Sequence, residues 1–289
     1  MQKDVLPFSL RMSSFFLSRL GYSFPGLTAR VFLRLYSTPP GRKLRASQLA
    51  FGAQARQERW LVREYAFSER KVGIQGYRWG VSDRKVLLLH GWGGSPLDFR
   101  QMVGALVEGG YEVISYDGPA HGASGGKRSN LVQWMYVLQQ VLEQVGPVDA
   151  IVGHSLGGLN AALTLARTDM KVSRLVMMGS SVSAPAFFND AFQQYGIPQP
   201  VMPKVQALVR RRLRDDLARL DLFQYLEGIH ADKILVVSDE NDLLVKQQEV
   251  EAFLSVYPGI QAFHIKGEGH FRIMRNEAVI REVLAFLGS

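Results

Sequence analysis

Gly153-His-Ser155-Leu-Gly157 sets a hydroxyl between two glycines, directly after the apolar run Ala150-Ile-Val152 and at the start of a helical segment. A sharp strand-to-helix turn needs small residues on both sides of its apex. It presents the apex hydroxyl at a helix N-terminus, where unpaired N–H groups and the helix dipole favour developing negative charge. Ser155 is thus a candidate nucleophile, the plain alternative being an N-cap serine in a tight turn. A serine hydroxyl needs a base, and imidazole is the side chain best matched to neutral pH. The chain has six histidines, at 90, 121, 154, 230, 264 and 270. His90 and His154 lie inside strand-to-turn motifs and are expected to hold loops. His264 falls in a predicted strand, and His230 at the far end of an insertion. His270, in Gly267-Glu-Gly-His270-Phe between the last strand and the last helix, is the expected base.

A base of this kind is oriented by a carboxylate that accepts its second N–H and stabilises the imidazolium. The loop Ser238-Asp239-Glu240-Asn241-Asp242, after the apolar run 234–237, supplies three carboxylates. Spacing from the strand end favours Asp242, with Asp239 as the alternative. His90-Gly-Trp-Gly-Gly94 follows the run 86–89, and glycines there let backbone N–H groups approach a ligand. The expected oxyanion donors are the main-chain N–H groups of Trp92 and Leu156.

The elements that must position these groups are legible as short apolar runs alternating with helical segments. Arg59 to Phe67 and Val72 to Gly80 read as two strands joined by a turn. From there, runs at 86–89, 113–116, 150–152, 174–178, 234–237 and 262–265 alternate with helices near 96–109, 129–145, 155–167, 246–256 and 276–287. Buried strands separated by helices mean βαβ units, a mostly parallel twisted sheet and an α/β fold. The gap at 181–232 is too long for a loop; four prolines punctuate it before a basic helix-like run. It reads as an inserted helical cap.

The chain is long enough for one large domain, has ordinary globular composition and contains no cysteine, which excludes disulfides and thiolate chemistry. Its net charge of +8 is uneven: residues 1–71 hold thirteen Lys/Arg against four Asp/Glu, a surplus of nine, which leaves the remainder at −1. A basic N-terminal segment suits an anionic membrane surface; no recognition motif accompanies it, so nucleic acid is not expected. If residues 9–20 are helical, Leu10, Phe16, Leu17 and Leu20 lie opposite Arg11, Ser14 and Ser18, a pattern suited to docking on protein or lipid. Val5 to Leu20 is interrupted by Pro7, Arg11 and Arg19, short of the ~20 clean apolar residues of a membrane span, and no A-x-A-like cleavage site follows it. The expected location is cytoplasmic, with membrane association as the alternative. No GxxxxGK[ST] loop, HExxH or paired-histidine motif occurs, so neither cofactor nor metal is expected.

Taken in order, His90-Gly-Trp-Gly, Asp117-Gly-Pro-Ala-His-Gly-Ala-Ser124, Gly153-His-Ser-Leu-Gly-Gly158, the Asp242 loop and Gly269-His270 make residues 60–289 resemble the α/β-hydrolase superfamily. Ala120 stands where that family's loop usually has glycine, and Asp239 and Lys246 depart from its acid loop. The resemblance implies a Ser155–Asp242–His270 triad in the family's chain order and a lid at about 181–232 that shapes an acyl pocket. It implies three segments: a helical, basic extension at 1–58, a core at 59–180 and 233–289, and the cap. Phe187, Phe188, Phe192, Tyr195, Phe223 and Tyr225 are expected to give the cap an apolar lining, with Trp92, Phe187 and Phe223 as pocket walls. On that reading the substrate is a small carboxylic ester with an apolar acyl chain. The alternatives are triad chemistry on a thioester, an amide, a C–C bond or a peracid, and a silent ligand-binding fold.

Overall fold

A computed structural model of the chain describes residues 17–225 and 228–289. Leu10, Arg11, Ser14 and Phe16, part of the expected N-terminal stripe, lie outside the described residues. The chain forms two compact units, one of residues up to Thr38 with Ser183–Asp221, the other of Pro39–Val182 with Leu222–Ser289.

The larger unit is built on one eight-stranded sheet: β1 (Arg56–Arg63), β2 (Lys71–Trp79), β3 (Lys85–Leu89), β4 (Glu112–Tyr116), β5 (Ala150–His154), β6 (Val172–Met178), β7 (Ala231–Asp239) and β8 (Gln261–Ile265). Their spatial order is β1-β2-β4-β3-β5-β6-β7-β8. Only the β1–β2 and β2–β4 pairings are antiparallel; every pairing from β4 to β8 is parallel. Strands β4 and β5 are buried at every residue, as expected where helices cover both faces of a parallel sheet. This is the mostly parallel, helix-wrapped sheet with a helical insertion after the sixth strand that the resemblance implies.

The helices in chain order are α1 (Pro25–Tyr36), α2 (Ala46–Ala53), α3 (Arg100–Glu108), α4 (Leu131–Val145), α5 (Leu156–Arg167), α6 (Ala184–Gln194), α7 (Met202–Leu213), α8 (Gln247–Val256) and α9 (Glu277–Gly288). Residues 17–23 are also helical. The core on one face of the sheet joins Val86, Leu88, Val113 and Val152 to Phe99, Met102 and Leu106 of the α3 region and to Val279, Val283 and Phe286 of α9. These buried rows fix the strands whose ends carry the site.

The smaller unit has its own core, and it changes the reading of the N-terminal extension. Phe32 of α1 is fully buried, with Phe188, Phe192 and Tyr195 packed edge-on around its ring at centroid distances of 5.4, 5.4 and 5.7 Å. Leu17, Ala29, Ile197, Val201, Val205 and Val209 complete the buried cluster. Gly21 allows close approach, since a Cβ there would fall 2.6 Å from Pro198 Cδ. Residues 17–38 therefore share a core with α6 and α7, whereas residues 39–58 belong with the sheet. Phe223 and Tyr225, counted with the cap in the sequence, also fall in the larger unit. Sequence periodicity shows an amphipathic segment but not which surface it covers.

Candidate active site

At the end of β5 the chain turns on Ser155, whose φ of 55° and ψ of −124° are strained for a residue with a side chain. Three glycines permit the turn. A Cβ on Gly153 would stand 2.4 Å from Gly158 Cα, one on Gly157 2.3 Å from Leu89 O, and one on Gly158 2.0 Å from Ser180 Oγ. The Ser155 N–H donates to Met178 O at 3.0 Å, anchoring the apex to β6. Leu156 opens α5, so its N–H has no carbonyl acceptor within the helix.

The structure brings three of the expected residues together. His270 Nε2 lies 3.0 Å from Ser155 Oγ, and His270 Nδ1 lies 2.8 Å from Asp242 Oδ2. Both His270 and Asp242 are buried. Asp242 Oδ1 accepts the N–H groups of Leu244 at 2.8 Å and Val245 at 3.0 Å. Burial by itself would raise the Asp242 pKa. The His270 hydrogen bond and these two amides outweigh it and hold the carboxyl below its ordinary value. An ionised Asp242 accepts a hydrogen bond from Nδ1–H, which fixes the proton there and leaves Nε2 with a lone pair facing the Ser155 hydroxyl.

Asp239 does something else. Its Oδ1 accepts the N–H of Asn241 at 2.7 Å and of Gly267 at 3.3 Å, and its Oδ2 accepts that of Glu268 at 2.7 Å. It ties the acid loop to the turn that leads into a short helix, Gly269–Arg272, which carries His270 where the sequence suggested a loop. Sequence reasoning had no way to see this, because the partners lie 28 and 29 residues away.

His154, expected to hold a loop, does so, although the sequence does not show which one. Its Nε2–H donates to the backbone oxygen of His270 at 2.7 Å, and the two rings are 4.8 Å apart. Burial, helped by the neighbouring His270, pushes its pKa down to about 4, so it is a neutral donor at pH 7. It braces the His270 backbone from within the same turn that carries Ser155.

The His90-Gly-Trp-Gly-Gly94 loop lies against the same turn, since a Cβ on Gly91 would meet Ser155 Cβ at 2.7 Å. The loop is held by two buried imidazoles. His90 Nδ1 donates to Gly91 O at 2.7 Å while Nε2 accepts the Gly118 N–H at 2.9 Å; His121 Nδ1 donates to Pro119 O at 2.9 Å while Nε2 accepts the Gly93 N–H at 3.0 Å. Burial lowers both pKa values, that of His90 to about 3. The Gly93 N–H is thereby occupied. The Trp92 ring is half-buried, edge-on to His121 at 5.2 Å. Asp98 braces the far side, accepting the Ser95 N–H at 3.0 Å and a bidentate pair from Arg42 at 2.5 and 2.6 Å. Asp117 accepts from Tyr77 Oη at 3.1 Å and the Ala123 N–H at 3.0 Å. Ala120 keeps a φ of 62° in that loop although it is not glycine.

The expected pocket aromatics are placed less favourably for an acyl site. Phe188 and Phe192 lie in the core of the smaller unit, the half-buried Tyr195 packs against it, and Phe223 packs edge-on against Phe253 at 5.9 Å. Phe187 is exposed on α6. Among the described residues no cluster of His, Cys, Asp and Glu is arranged to hold a metal ion.

A family model described as alpha/beta hydrolase fold matches residues 85–202. A 2-hydroxy-6-oxononadienedioate/2-hydroxy-6-oxononatrienedioate hydrolase of Burkholderia vietnamiensis is 29% identical over 187 residues, 61% of this chain and 61% of its own length. The match thus spans about three fifths of that relative. Among solved structures, an esterase of Pyrococcus furiosus is similar with a TM-score of 0.64 at 20% identity, covering 87% of this chain and 98% of that one. A bromoperoxidase of Bacillus anthracis has a TM-score of 0.60 at 18% identity, over 80% of this chain and 100% of its own. At such identities these two likenesses concern the fold.

Proposed function

We propose that this chain, which has the α/β-hydrolase fold with a helical cap inserted after its sixth strand, is a serine hydrolase that cleaves a C–C bond beside a ketone. The observation that carries the hydrolase reading is the continuous relay from Asp242 Oδ2 through His270 to Ser155 Oγ, at 2.8 and 3.0 Å. In this reading Ser155 Oγ attacks a carbonyl carbon and gives its proton to His270 Nε2. The imidazolium is stabilised by the ionised Asp242, and the new oxyanion accepts from the Trp92 and Leu156 N–H groups. Collapse of the tetrahedral adduct expels the leaving group, which takes the proton from His270. Water, deprotonated by the same imidazole, then releases the acyl group from Ser155. No metal or cofactor enters this sequence of steps.

The choice of bond rests on the sequence relatives. A 2-hydroxy-6-oxo-dienedioate, as in the name of the Burkholderia enzyme, has no ester, thioester or amide link. Hydrolysing it means breaking a C–C bond at the ketone carbon. The electron pair leaves as a carbanion, which is accessible only where a conjugated double-bond system takes up the charge. The ester reading relied on a cap lined with aromatics, and of its six rings two are buried in the interior of their own unit and a third, Tyr195, packs against that interior. That removes its main support and favours the ketone.

The test has two parts. A fluorophosphonate probe followed by peptide mapping should modify Ser155, and labelling elsewhere would remove the hydrolase reading. Then kcat/KM is compared for 2-hydroxy-6-oxo-dienoates, followed by loss of the dienol chromophore, and for p-nitrophenyl esters from acetyl to dodecanoyl. Preference for the dienoates supports C–C cleavage; preference for the esters returns the protein to the carboxylesterase reading without disturbing the triad.

A further inference from the structure

The helices at the N-terminus bury one face and leave the other apolar. Ala29 and Phe32 of α1, with Leu17 before it, point into the core of the smaller unit. Tyr22, Phe24 and Leu27 are 73, 57 and 53% exposed, and Leu20, Val31 and Leu35 are exposed as well. These six are nearly half of the fourteen large apolar side chains exposed among the described residues, within sixteen positions. Leu27, Val31 and Leu35 follow a spacing of four, so they form one row along α1. Leu20, Tyr22 and Phe24 are exposed just ahead of that row. The Phe24 N–H donates to Leu20 O at 2.7 Å and the Thr28 N–H to Phe24 O at 3.0 Å, while Phe24 itself, at φ −132° and ψ 61°, breaks the helix before Pro25.

A basic row runs beside the apolar one. Arg30 and Arg34 are four apart on α1, each three residues after an apolar-row member, and both are exposed. Between Asp4 and Glu58 the sequence has eight Lys/Arg and no acidic residue. An apolar stripe edged by arginines, in a segment without any carboxylate, is complementary to the surface of an anionic bilayer: rings and aliphatic groups enter the acyl boundary while guanidinium groups meet phosphates. A second copy of this chain is a poorer occupant, because pairing two such stripes brings the arginine rows together without counter-charge. No described helix is long and apolar enough to cross a membrane, so the contact lies in the plane of the interface.

We propose that the α1 row Leu27, Val31 and Leu35, with Arg30 and Arg34 at its edge and the exposed Leu20, Tyr22 and Phe24 just ahead of it, docks on anionic phospholipid. The inference stands apart from any reading of the catalytic chemistry. Full-length protein is sedimented with phosphatidylglycerol/phosphatidylcholine vesicles and with phosphatidylcholine vesicles, at low and high salt, and its oligomeric state is measured by light scattering. The expected result is binding to the anionic vesicles that falls with salt. Binding should weaken about 25-fold in the Arg30→Gln, Arg34→Gln double variant, at about fivefold per arginine. Leu27→Ser with Val31→Ser should cost on the order of tenfold or more. All these side chains are exposed, so circular dichroism and soluble-substrate turnover should be unchanged. Equal binding to both vesicle types, binding unaffected by either variant, or no binding overturns the proposal. A dimer that the Leu27→Ser, Val31→Ser variant turns into a monomer, or a variant that loses thermal stability, assigns the face to a second copy or to the chain's own interior and overturns it as well.

Discussion

At the residue scale the site is a hydrogen-bond relay whose members have separable tasks. Ser155→Ala removes the proposed nucleophile and leaves its backbone turn in place. It should fold normally and lose on the order of 10⁴-fold or more in kcat, measured by turnover together with a thermal melt. The two aspartates of the acid loop should respond differently. Asp242→Asn keeps an acceptor but allows the amide to face Nδ1, stabilising the wrong His270 tautomer, with a kcat loss of about 10⁴-fold and little change in KM. Asp239→Asn sets an NH2 against the N–H groups that its carboxylate now accepts. That change should appear chiefly as about 1–3 kcal/mol of lost stability in urea unfolding, with a smaller loss of turnover. A larger kcat loss for Asp239→Asn than for Asp242→Asn would reverse the two assignments.

At the scale of elements, the strand-to-helix turn is held by what its glycines lack. Gly157→Ala would drive a methyl to 2.3 Å from Leu89 O, a backbone atom of β3 that moves only if the sheet moves. The expected cost is at least about 3 kcal/mol, seen as a lowered unfolding midpoint or loss of soluble protein. The Asp117 loop offers a change of opposite sign. Ala120 sits at a φ of 62°, a conformation that costs about 1–2 kcal/mol for a residue with a Cβ. Glycine relieves that strain and gives back about 0.5–1 kcal/mol in backbone entropy. Ala120→Gly should therefore be stabilising by about 0.5 kcal/mol, and a clear loss of stability in the melt would show that the methyl has a packing role.

At the scale of the whole molecule, two cores and a set of buried imidazoles govern stability. Phe32 is the hub of the smaller unit, and Phe32→Ala removes a ring contacted by four others. A cost of about 3–5 kcal/mol, confined to that unit, should split the thermal transition in two, as calorimetry would resolve. A single transition with an unchanged midpoint would count against this independence. The acid limb follows from His90, His121 and His154, which burial keeps neutral in the folded state, with pKa values down to about 3 for His90 and about 4 for His154. Their unfolded values are near 6.5, so below that pH the unfolded chain binds more protons and stability falls as pH falls. Asp242, with its depressed carboxyl, adds a loss only at the acid end, below about pH 4. Asp117 works the other way, since burial raises its pKa and protonation relieves it. Urea midpoints should thus begin to fall near pH 6.5, with each imidazole contributing up to about 1.4 kcal/mol per pH unit. A flat midpoint from pH 7 to 5 would mean that these rings are already compensated or exposed.

What the sequence by itself determined is whatever depends on local backbone constraint. Ser155 stands out because a tight strand-to-helix turn tolerates little but glycine beside its apex. The alternation of apolar runs and helical segments specifies a parallel sheet because strands covered on both faces must be apolar along their length. His270 is marked by its place after the last strand. Tertiary structure decided what local pattern cannot carry. Asp239 and Asp242 lie three residues apart in one acidic loop, and only the approach of the 267–270 segment separates the carboxylate that meets an imidazole from the one that meets amides. The cap aromatics read as a pocket lining until α1, some 150 residues earlier in the chain, is found to share a core with Phe188 and Phe192 and to pack against Tyr195. The direction of a side chain in a loop or on a short helix is set by contacts between segments distant along the chain, and no periodicity records those contacts.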